Sequence, residues 1–355
     1  MKLTFCLPSI LKVPAGGFKI VFEYANRLSD KGHQITIVCL TDTYFQKFNN
    51  FGKNILGKIR IKGYPNWFEL NNNVKVIATP YLDGRHFPDA DFVVATAART
   101  SNIIFNLPSN KGKKLYLIQD YETWGMSESE VDATYNLGLV NIVVSKWLKD
   151  LVYKKSGFSP YLISNPIDTK KFFVSNPING RNNMEVGMLY HKGNHKGIPV
   201  ALDALKIVKK KYPALHVNMF GVYDFPEKMP EWFSYTKNAN MDQLLKLYNK
   251  CAIFVCASRE EGFGLTGAES MACGCALVST AYKGVYEYAK NGINSLLSPV
   301  DNSKMLANNI EKLIRDSELR QRLAIQGSKD LSEFSWENSV ESFEQILIKE
   351  KQNIN

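Results

Sequence analysis

The sequence predicts an α/β protein in which two parallel sheets, each covered by helices, form two domains of about equal size. Short apolar runs rich in β-branched residues alternate with amphipathic stretches along the whole chain. This alternation is typical of repeated strand–helix–strand units, which build parallel sheets buried on both faces. The chain has 355 residues, a length that favours two domains at roughly 150 residues each.

The first strand–helix–strand unit is predicted at the amino terminus. Between the apolar runs Lys2–Leu7 and Gln34–Leu40, apolar residues recur at helical spacing, and Gly32 stands where a helix should end. The residues of that helical face are Ile20, Val21, Tyr24, Ala25 and Leu28. The other strands predicted in the first half are Val74–Thr79, Phe92–Thr96, Lys114–Gln119, Asn141–Val144 and Tyr161–Ser164.

A second series of units begins after Asn165 and Pro166. Its predicted strands are Glu185–Tyr190, His216–Phe220, Ile253–Ala257, Ala276–Thr280 and Ser295–Ser298. Its predicted helices are Gly197–Lys211, Met241–Asn249, Gly267–Cys273 and Ser303–Arg315, and a final helix is predicted over Trp336–Lys349. The polar, turn-rich stretch 175–183 favours a boundary region there. We therefore expect domains at 1–168 and 169–332, followed by a helical segment at 333–355.

Composition narrows the class of protein. Apolar residues make up 45% and charged residues 22% of the chain, which excludes a disordered or fibrous protein. The longest apolar runs are too short for a membrane span or a signal peptide, so a cytoplasmic location is expected. The six cysteines form no C-x-x-C pair, and the five histidines show no metal-ligand spacing. Buried free thiols and no structural metal are the prediction.

The net charge indicates an anionic partner. Lysine and arginine exceed aspartate and glutamate by 44 − 34 = 10. This excess suits a phosphorylated small molecule, an acidic membrane surface or nucleic acid. No nucleic-acid-binding motif is present in the sequence, so nucleic acid ranks last among these partners.

The most informative stretch is a glycine-bearing loop between two predicted strands. The loop runs from Glu261 to Gly267, follows the apolar strand IFVCAS and leads into a short helix predicted to begin near Gly267. Exposed backbone N–H groups at the start of such a helix bind anions. Gly262 and Gly264 would let a ligand approach the backbone closely.

Two carboxylates frame this loop. Glu261 lies in the loop, and Glu269 lies eight residues later, in the predicted first helical turn. Acceptor-only side chains beside an anion site suit a ligand with both phosphate and vicinal hydroxyl groups, such as a nucleotide sugar. The alternative is that Glu269 only complements the helix dipole and Glu261 is a solvated loop charge.

The carboxylates belong to a longer motif. The run Glu261-Gly-Phe-Gly-Leu-Thr-Gly-Ala-Glu269, followed by Ser-Met-Ala-Cys-Gly274, resembles the E-x7-E motif of the retaining glycosyltransferases of family 4, which have the GT-B fold. Other segments are similar to the family in order and position, from about residue 1 to residue 350: Pro14-Ala-Gly16-Gly17, Ser164-Asn-Pro-Ile-Asp168 with Phe172 or Phe173, Lys196-Gly197, and Tyr286–Gly292 followed by Asn294–Leu297. The segment LIQDYETW at 117–124 is most similar to bacterial members that build surface polysaccharides, rhamnosyltransferase-like ones included.

This resemblance implies an architecture. We expect two Rossmann-like domains that face each other across a deep cleft, with the acceptor side in the N-terminal domain and the nucleotide sugar in the C-terminal one. The helix within 333–355 would cross back to the N-terminal domain and bury its apolar face there.

The resemblance also implies a role for each matching residue. Glu269 would accept hydrogen bonds from the donor ribose, and Glu261 would hold the donor sugar and face the reacting centre. Lys196 would neutralise the leaving diphosphate. The loop backbone would hold sugar and diphosphate, and a first-domain glycine turn would close over them; the residues concerned are Gly262, Phe263, Gly264, Leu265, Thr266, Gly16 and Gly17.

The chain departs from the family pattern at two places. Met188 stands where the family usually has a phosphate-binding Arg, and Lys192 or His195 is a candidate to replace it; the alternative for His195 is an ordinary loop residue. Asp120 follows Gln119 where a first-domain His is common. Asp120 is a candidate for contacting acceptor or donor hydroxyls, and the alternative is a turn or helix N-cap residue.

The implied activity is transfer of a sugar, with retention at the anomeric carbon, from a nucleoside diphosphate sugar to a saccharide or lipid-linked saccharide acceptor. A UDP-sugar is the first expectation, with dTDP- and GDP-sugars as alternatives, and neither cofactor nor metal is expected. Asp89 and Asp91 have the spacing of a metal-binding D-x-D motif but directly precede a strand without an acidic partner. The rival functions are a GT-B nucleotide-sugar epimerase and a catalytically inactive nucleotide-sugar-binding protein.

One insertion in the first half combines basic and aromatic residues. The segment 45–68 contains no acid, and its basic residues lie among aromatic and aliphatic ones: Lys47, Lys53, Lys58, Arg60 and Lys62 among Phe45, Phe48, Phe51, Ile55, Leu56, Trp67 and Phe68. This composition suits an anionic membrane interface and peripheral binding at the inner face of the cell membrane. The alternative is an ordinary solvated loop with partly buried aromatics.

Overall fold

The structure is a computed structural model that describes residues 1–43, 46–225 and 230–352. Its contacts divide the chain into two compact units. Unit 1 comprises Met1–Ser164 and Glu337–Asn355, and unit 2 comprises Asn165–Trp336. Each unit contains a parallel sheet with helices, so the predicted α/β class with two Rossmann-like units is confirmed.

Unit 1 is built on a parallel sheet. Its described strands are β1 Lys2–Leu7, β2 Gln34–Leu40, β3 Lys75–Thr79, β4 Phe92–Ala95, β5 Lys113–Ile118, β6 Val140–Val143 and β7 Tyr161–Leu162. The helices between them are α1 Gly16–Asp30, α2 Asn50–Ile61, α3 Ala98–Phe105, α4 Glu128–Thr134 and α5 Lys146–Ser156. The strand order is β3-β2-β1-β4-β5-β6-β7.

Unit 2 repeats this plan. Its described strands are β8 Glu185–Tyr190, β9 His216–Gly221, β10 Phe233–Lys237, β11 Ile253–Cys256, β12 Ala276–Thr280 and β13 Ser295–Ser298, in the order β10-β9-β8-β11-β12-β13. Its helices are α6 Ile198–Lys211, α7 Met241–Lys250, α8 Leu265–Ala272, α9 Ser303–Arg315 and α10 Ser317–Leu331. The chain then forms α11 Trp336–Gln352.

Burial explains why the strands were readable as apolar runs. All residues of β1 after Lys2 are buried, and so are all five residues of β12. Helices cover both faces of a parallel sheet, so its strands need apolar side chains at every position rather than at alternate ones. On α1 the predicted apolar face is the buried one, and Gly32 follows it with a φ of +84°.

Several elements were not predicted from the sequence, including helices α2 to α5 of unit 1. In unit 2, strand β10 was not predicted, because only its first residue, Phe233, is buried and no apolar run marks it. Helix α10 was not predicted either. Helix α8 begins at Leu265 rather than near Gly267, so Glu269 is its fifth residue and lies beyond the first turn.

The polar stretch 175–183 lies inside unit 2. Arg181 is only 5% exposed and donates hydrogen bonds to four backbone carbonyls, those of Asn176, Tyr248, Cys251 and Cys273. A buried guanidinium needs such acceptors, because leaving its donors unsatisfied is costly. The stretch is therefore packed structure, although its composition is typical of a linker.

Helix α11 contributes to the core of unit 1. Phe343 is fully buried, and its ring centroid lies 5.1 Å from that of Tyr24 on α1 and 6.3 Å from that of Phe5 on β1. Two acids of α11 add to this packing, since Glu344 forms an ion pair with Lys31 and a hydrogen bond with His33, and Glu350 forms an ion pair with Lys113. The final helix thus covers an apolar surface of the first sheet.

Two further observations concern composition. All six cysteines are free and buried. Burial raises the pKa of the Cys256 thiol to about 12, which keeps it protonated at neutral pH.

Among the helices in residues 1–43, 46–225 and 230–352, none combines the length and apolar character that spanning a bilayer requires.

We predict that Phe343→Ala lowers the free energy of unfolding of unit 1 by about 3–5 kcal/mol, because it leaves a cavity between α1 and β1. The two units need not unfold together, so hydrogen exchange of the β1 amides is the appropriate measurement. Ile348→Ala on the same helix is the control, since Ile348 is 45% exposed. Equal β1 protection in wild type and Phe343→Ala would contradict this packing.

Candidate active site

The sheet order of unit 2 determines where a site can form. Strands β8 and β11 are parallel neighbours, with Ile253 opposite Val186 and Val255 opposite Met188. The strand order reverses between them, and the crevice at the carboxyl ends of strands at such a switch point is the usual ligand position in these sheets; here its lining includes Met188, Lys196 and Glu261. The loops that leave these carboxyl ends span residues 191–197 and 257–264.

Lys196 and Glu261 meet in this crevice. The Lys196 Nζ lies 2.9 Å from Glu261 Oε2, and the two side chains are 19% and 11% exposed. The Ser258 hydroxyl donates a hydrogen bond to the other carboxylate oxygen, Oε1. Residues 65 positions apart in sequence therefore form one buried, hydrogen-bonded ion pair.

The charge state of this pair follows from its surroundings. Burial acts to raise the pKa of the Glu261 carboxyl, but the Lys196 ammonium and the Ser258 hydroxyl oppose burial and hold that pKa below its usual value. Glu261 is therefore an anion at neutral pH, and it can accept hydrogen bonds but cannot donate them.

The backbone around Lys196 admits only glycine at the next position. Gly197 has a φ of +58°, and a Cβ placed on it would lie 1.8 Å from the carbonyl oxygen of Ala257. The turn after Lys196 is thus pressed against the end of β11. This close approach explains the Lys-Gly pair that the sequence shows.

Arg259, in the loop after β11, holds the two residues that precede Lys196. Its guanidinium donates to the backbone and side-chain oxygens of Asn194, at 2.6 Å and 2.5 Å, and to Asp301 Oδ1 at 2.7 Å. Its backbone N–H donates to the His195 carbonyl at 2.7 Å. Sequence reasoning missed Arg259. The sequence around it, Ser258–Gly262, does not show that its partners Asn194 and Asp301 lie in two loops distant along the chain.

The glycine-bearing loop is held from behind by two tyrosines. Tyr288 Oη donates to the Gly264 carbonyl at 2.9 Å, and Tyr282 Oη lies 2.8 Å from Tyr288 Oη. Gly264 has a φ of +95°, and a Cβ on it would come within 2.0 Å of Tyr282 Oη. Helix α8 begins directly afterwards, so the N–H groups of its first turn, from Leu265 and Thr266 onward, have no intrahelical partner.

Phe263 and Glu269 are both buried. Phe263 is 2% exposed and packs against Tyr288 and Phe334, so only its backbone is available to a ligand. Glu269 is 6% exposed, and Tyr248 Oη on α7 donates to its Oε2 at 3.2 Å. The carboxylate of Glu269 is thus oriented by a tyrosine that the motif itself does not contain.

Met188 lies on β8, 1% exposed, in the lining of a small cavity that it shares with Lys196, Ser258 and Glu261. The two proposed substitutes for its missing charge differ in position. Lys192 is exposed, with its Nζ 5.8 Å from the ring centroid of Tyr223. His195 is half-buried, and burial together with the Lys196 charge lowers its pKa, which leaves the ring neutral at neutral pH.

Neighbouring His191 is also held neutral. Burial, followed by Lys196 and His195, lowers the pKa of His191 to about 4. Its Nδ1 accepts a hydrogen bond from the Gly193 N–H at 2.8 Å. Among the described residues of this loop, positive charge therefore comes from Lys196 and Lys192.

The candidate residues of unit 1 lie at the carboxyl ends of its own strands. Gly16 and Gly17 begin α1, and Gln119 donates to the Gly17 carbonyl at 3.2 Å. Asp120 follows β5, and its Oδ1 accepts from the Tyr121 N–H at 2.8 Å, a local turn contact.

A second carboxylate lies beside Asp120. Glu122 Oε2 accepts a hydrogen bond from the Ala98 N–H at the start of α3, at 3.1 Å. Burial, with a smaller contribution from Asp120, raises the pKa of Glu122 to about 7. Sequence reasoning missed this residue, because burial after a strand end is not visible in the sequence.

The D-x-D pair is engaged in ion pairs. Asp89 pairs with Lys111 at 2.8 Å, and Asp91 pairs with Lys351 at 2.9 Å and accepts from the Lys2 N–H. Within the described residues, no group of three or more His, Cys, Asp and Glu side chains is arranged to hold a metal ion.

We predict that Lys196→Met raises the pKa of Glu261 above its usual value, because burial then acts without the opposing cation. In the wild type the folded-state pKa is lowered, so the stabilisation is present above the unfolded pKa and is lost as the pH falls through the folded pKa. In the variant the folded-state pKa is raised, so stability is lost as the pH rises through it. The difference in Tm between wild type and variant should therefore widen as the pH rises from below the usual carboxyl pKa of 4.5 toward neutrality.

Two variants serve as controls for this pH dependence. Lys192→Met removes an exposed cation from the same loop and should leave the pH profile of Tm unchanged. Adding Glu261→Gln to Lys196→Met removes the titrating group and should abolish the widening. A Tm difference that is constant across the pH range would show that the two charges do not interact as the geometry indicates.

Comparison with known proteins identifies the domain that carries this site. Residues 182–330 match the family described as "Glycosyl transferases group 1". Curated relatives include an uncharacterized glycosyltransferase of Methanocaldococcus jannaschii, 28% identical over 45% of this chain and 50% of its own, and the capsular polysaccharide biosynthesis glycosyltransferase CapM of Staphylococcus aureus, 25% identical over 48% of each. The poly(glycerol-phosphate) alpha-glucosyltransferase of Bacillus subtilis is 24% identical over 65% of this chain and 35% of its own. The chain thus spans half or less of the length of these relatives.

Solved structures match over the whole chain. HepE of Anabaena, in complex with UDP and glucose, has a TM-score of 0.75 at 17% identity and covers 98% of this chain and 100% of its own. TarM of S. aureus, in complex with UDP, has a TM-score of 0.78 at 11% identity, over 98% and 99%. Residues 182–330 are therefore a glycosyl transferases group 1 domain, in a chain that has the two-unit α/β fold of the GT-B glycosyltransferases.

Proposed function

We propose that this chain is a retaining glycosyltransferase of family 4, which moves a sugar from a nucleoside diphosphate sugar to a saccharide or lipid-linked saccharide acceptor in cell-surface polysaccharide biosynthesis. The observation that supports this most strongly is the Lys196–Glu261 pair in the β8/β11 crevice, within the group 1 domain. A cation and an anion held side by side suit a ligand that is anionic at one end and rich in hydroxyl groups at the other.

The donor diphosphate would take the place of Glu261 beside Lys196. Negative charge grows on the diphosphate as the bond to the sugar breaks, so a preplaced ammonium stabilises the transition state more than the ground state. The N–H groups at the start of α8 face the same charge and cost no reorganisation, because Tyr288 already holds the Gly264 carbonyl. Lys192 would add a second cation in place of the Arg that Met188 replaces.

The carboxylates of Glu261 and Glu269 would bind the hydroxyl groups of the donor. Glu261, released from Lys196, would accept hydrogen bonds from the donor sugar at the reacting centre. Glu269 would accept from the ribose, with Tyr248 fixing its orientation. A uridine nucleotide is the first choice, because HepE and TarM were solved with UDP.

Unit 1 would supply the acceptor side. Gly16 and Gly17 leave room at the start of α1, and Asp120 and Glu122 place two carboxyl groups after β5. The pKa of Glu122 near 7 lets it exchange a proton with an acceptor hydroxyl at neutral pH. A lipid-linked acceptor would bring the enzyme to the cytoplasmic face of a membrane as a peripheral protein.

The proposal includes independence from metal ions. Lys196 and the helix N–H groups provide the positive charge that a divalent ion provides in other sugar transferases. Asp89 and Asp91 are engaged with Lys111 and Lys351.

The test of this function is release of nucleoside diphosphate from a panel of UDP-, dTDP- and GDP-sugars, with and without saccharide acceptors. We expect one donor class to be turned over in an acceptor-dependent manner, with no loss of rate in EDTA. The anomeric configuration of the product, read by NMR, decides retention. Interconversion of the donor sugar without nucleotide release would instead identify an epimerase, and turnover that EDTA abolishes and Mn²⁺ restores would contradict the metal-independent mechanism.

We predict that removing the two carboxylates has different effects: loss of Glu269 weakens nucleotide binding, whereas loss of Glu261 lowers kcat. Glu269→Ala should weaken nucleotide binding by about 1–3 kcal/mol, roughly 5- to 150-fold in Kd, the scale of lost hydrogen bonds to a charged group. Glu261→Gln should mainly lower kcat, because its partner is the sugar at the reacting centre. Calorimetry with the nucleoside diphosphate and steady-state kinetics measure the two effects. The control is Glu260→Ala, which removes the adjacent carboxylate; wild-type binding and turnover in both test variants would refute the site.

A further inference from the structure

Helix α2 exposes an apolar stripe to solvent. Phe51, Ile55 and Ile59 are 71%, 44% and 66% exposed, and Phe48, just before the helix, is 51% exposed. At 100° per residue these three helical positions fall on one side of the helix, within about 80°. The opposite side faces the sheet, where a Cβ on buried Gly57 would touch Thr41 and Ala78.

The structure separates this stripe from the other aromatics of the segment. Tyr64, Trp67 and Phe68 pack around Phe22 of α1, with ring centroids 5.4–5.9 Å from it, so they belong to the packing of unit 1. Trp67 also donates to the Leu11 carbonyl. Phe45 lies outside the described residues. Composition predicts a membrane-contacting segment over all of residues 45–68. The exposed part of that segment, among the described residues, is α2 and the residues directly before it.

The basic residues are divided in the same way. Lys58 and Lys62 are exposed and lie on the same side of the helix as Phe51 and Ile55, and Lys47 is exposed just before the helix. Lys53 and Arg60 are half-buried and lie on the opposite side. We call the outward side the α2 face; its members are Lys47, Phe48, Phe51, Ile55, Lys58, Ile59 and Lys62.

The chemistry of the α2 face specifies its partner. Exposed aromatic and aliphatic side chains between lysines, with no acid from residue 45 to residue 68, match the headgroup region of an anionic bilayer. A second copy of the chain is a poor partner, because the same face on both copies would place lysines against lysines.

We propose that the α2 face docks this protein on the surface of a bilayer that contains anionic phospholipid, with Phe51, Ile55 and Ile59 inserted at headgroup depth and Lys47, Lys58 and Lys62 bound to the lipid phosphates. The helix lies parallel to the membrane plane. This inference rests on the proposed function in one respect only: access to a lipid-linked acceptor is the reason why the protein would dock on a membrane.

The test is co-sedimentation of the full chain with vesicles of phosphatidylcholine alone or mixed with phosphatidylglycerol, at low and high salt. We expect binding to the mixed vesicles that high salt weakens, since surface charges are screened. Phe51→Ser/Ile55→Ser/Ile59→Ser should abolish sedimentation. Lys47→Gln/Lys58→Gln/Lys62→Gln should lower the partition coefficient on the order of 100-fold, at roughly fivefold for each lysine.

Matched controls come from other surfaces of the same chain. Phe158→Ser/Ile325→Ser/Ile348→Ser removes three apolar side chains that are 76%, 58% and 45% exposed. Lys210→Gln/Lys304→Gln/Lys329→Gln removes three exposed lysines. Both control variants should sediment like the wild type. Circular dichroism and Tm show whether each variant is folded.

Several outcomes would overturn the proposal: no sedimentation of the wild type, equal binding to neutral vesicles, or equal loss in the α2 and control variants. Loss of a dimer in the α2 variants, seen by light scattering, would assign the face to a second copy instead. Nucleotide release with a soluble acceptor should be unchanged in both α2 variants. That assay separates failure of membrane docking from failure of the proposed enzyme activity.

Discussion

The ion pair between Lys196 and Glu261 is the interaction around which unit 2 is organised at the carboxyl ends of β8 and β11. Burial disfavours the ionised form of Glu261, and the Lys196 ammonium opposes that effect. Held 2.9 Å apart, each provides the other's counter-charge. The same burial that makes the pair costly to form makes either charge strongly attractive to a ligand that replaces its partner. In the proposed function, an anionic ligand would displace Glu261 from Lys196, and the hydroxyl groups of the same ligand would then donate to the Glu261 carboxylate.

The backbone near this pair is specialised to bring loops close together. Gly197 lets the turn after Lys196 touch the end of β11, and Gly264 lets the loop before α8 pass over two tyrosine hydroxyls. Arg259 then ties the Lys196 loop to the loop after β11 through Asn194. Close backbone contacts and charged hydrogen bonds hold the charged side chains in position before a ligand arrives, so little conformational entropy remains to be lost on binding.

Unit 1 distributes its charged and aromatic residues between packing and surface. Two acids of α11 pair with Lys113 of β5 and with Lys31 directly after α1, and Phe343 fills the space between α1 and β1. In the segment after β2, by contrast, the aromatics nearest Phe22 are packed, whereas those along α2 remain exposed beside lysines. The difference arises because α2 covers the edge strand β3 with one side only.

Parts of this molecule follow from the sequence alone. Continuous apolar strands identify both parallel sheets, because strands covered on both faces must be apolar at every position. The loop from Glu261 to Glu269 is indicated by its glycines and its two carboxylates, because exposed backbone N–H groups beside acceptor side chains suit an anionic, hydroxyl-rich ligand. The Lys196-Gly197 pair is indicated by the family resemblance alone. Other parts depend on tertiary contacts. The pairing of Lys196 with Glu261, the contacts of Arg259 with Asn194 and Asp301, and the burial that raises the pKa of Glu122 all depend on which strands are neighbours.

The basic segment shows the same limit. Its composition predicts cations among aromatics, but only the packed helix decides which side chains face Phe22 and the sheet and which face solvent. Strand β10 could not be predicted from the sequence for a related reason. Its one buried residue is Phe233, so its residues form no apolar run, and it forms because β9 offers an edge with which it pairs. Periodicity records how a segment is buried along its own length. Contacts between distant segments arise from the order of the strands, which no local pattern contains.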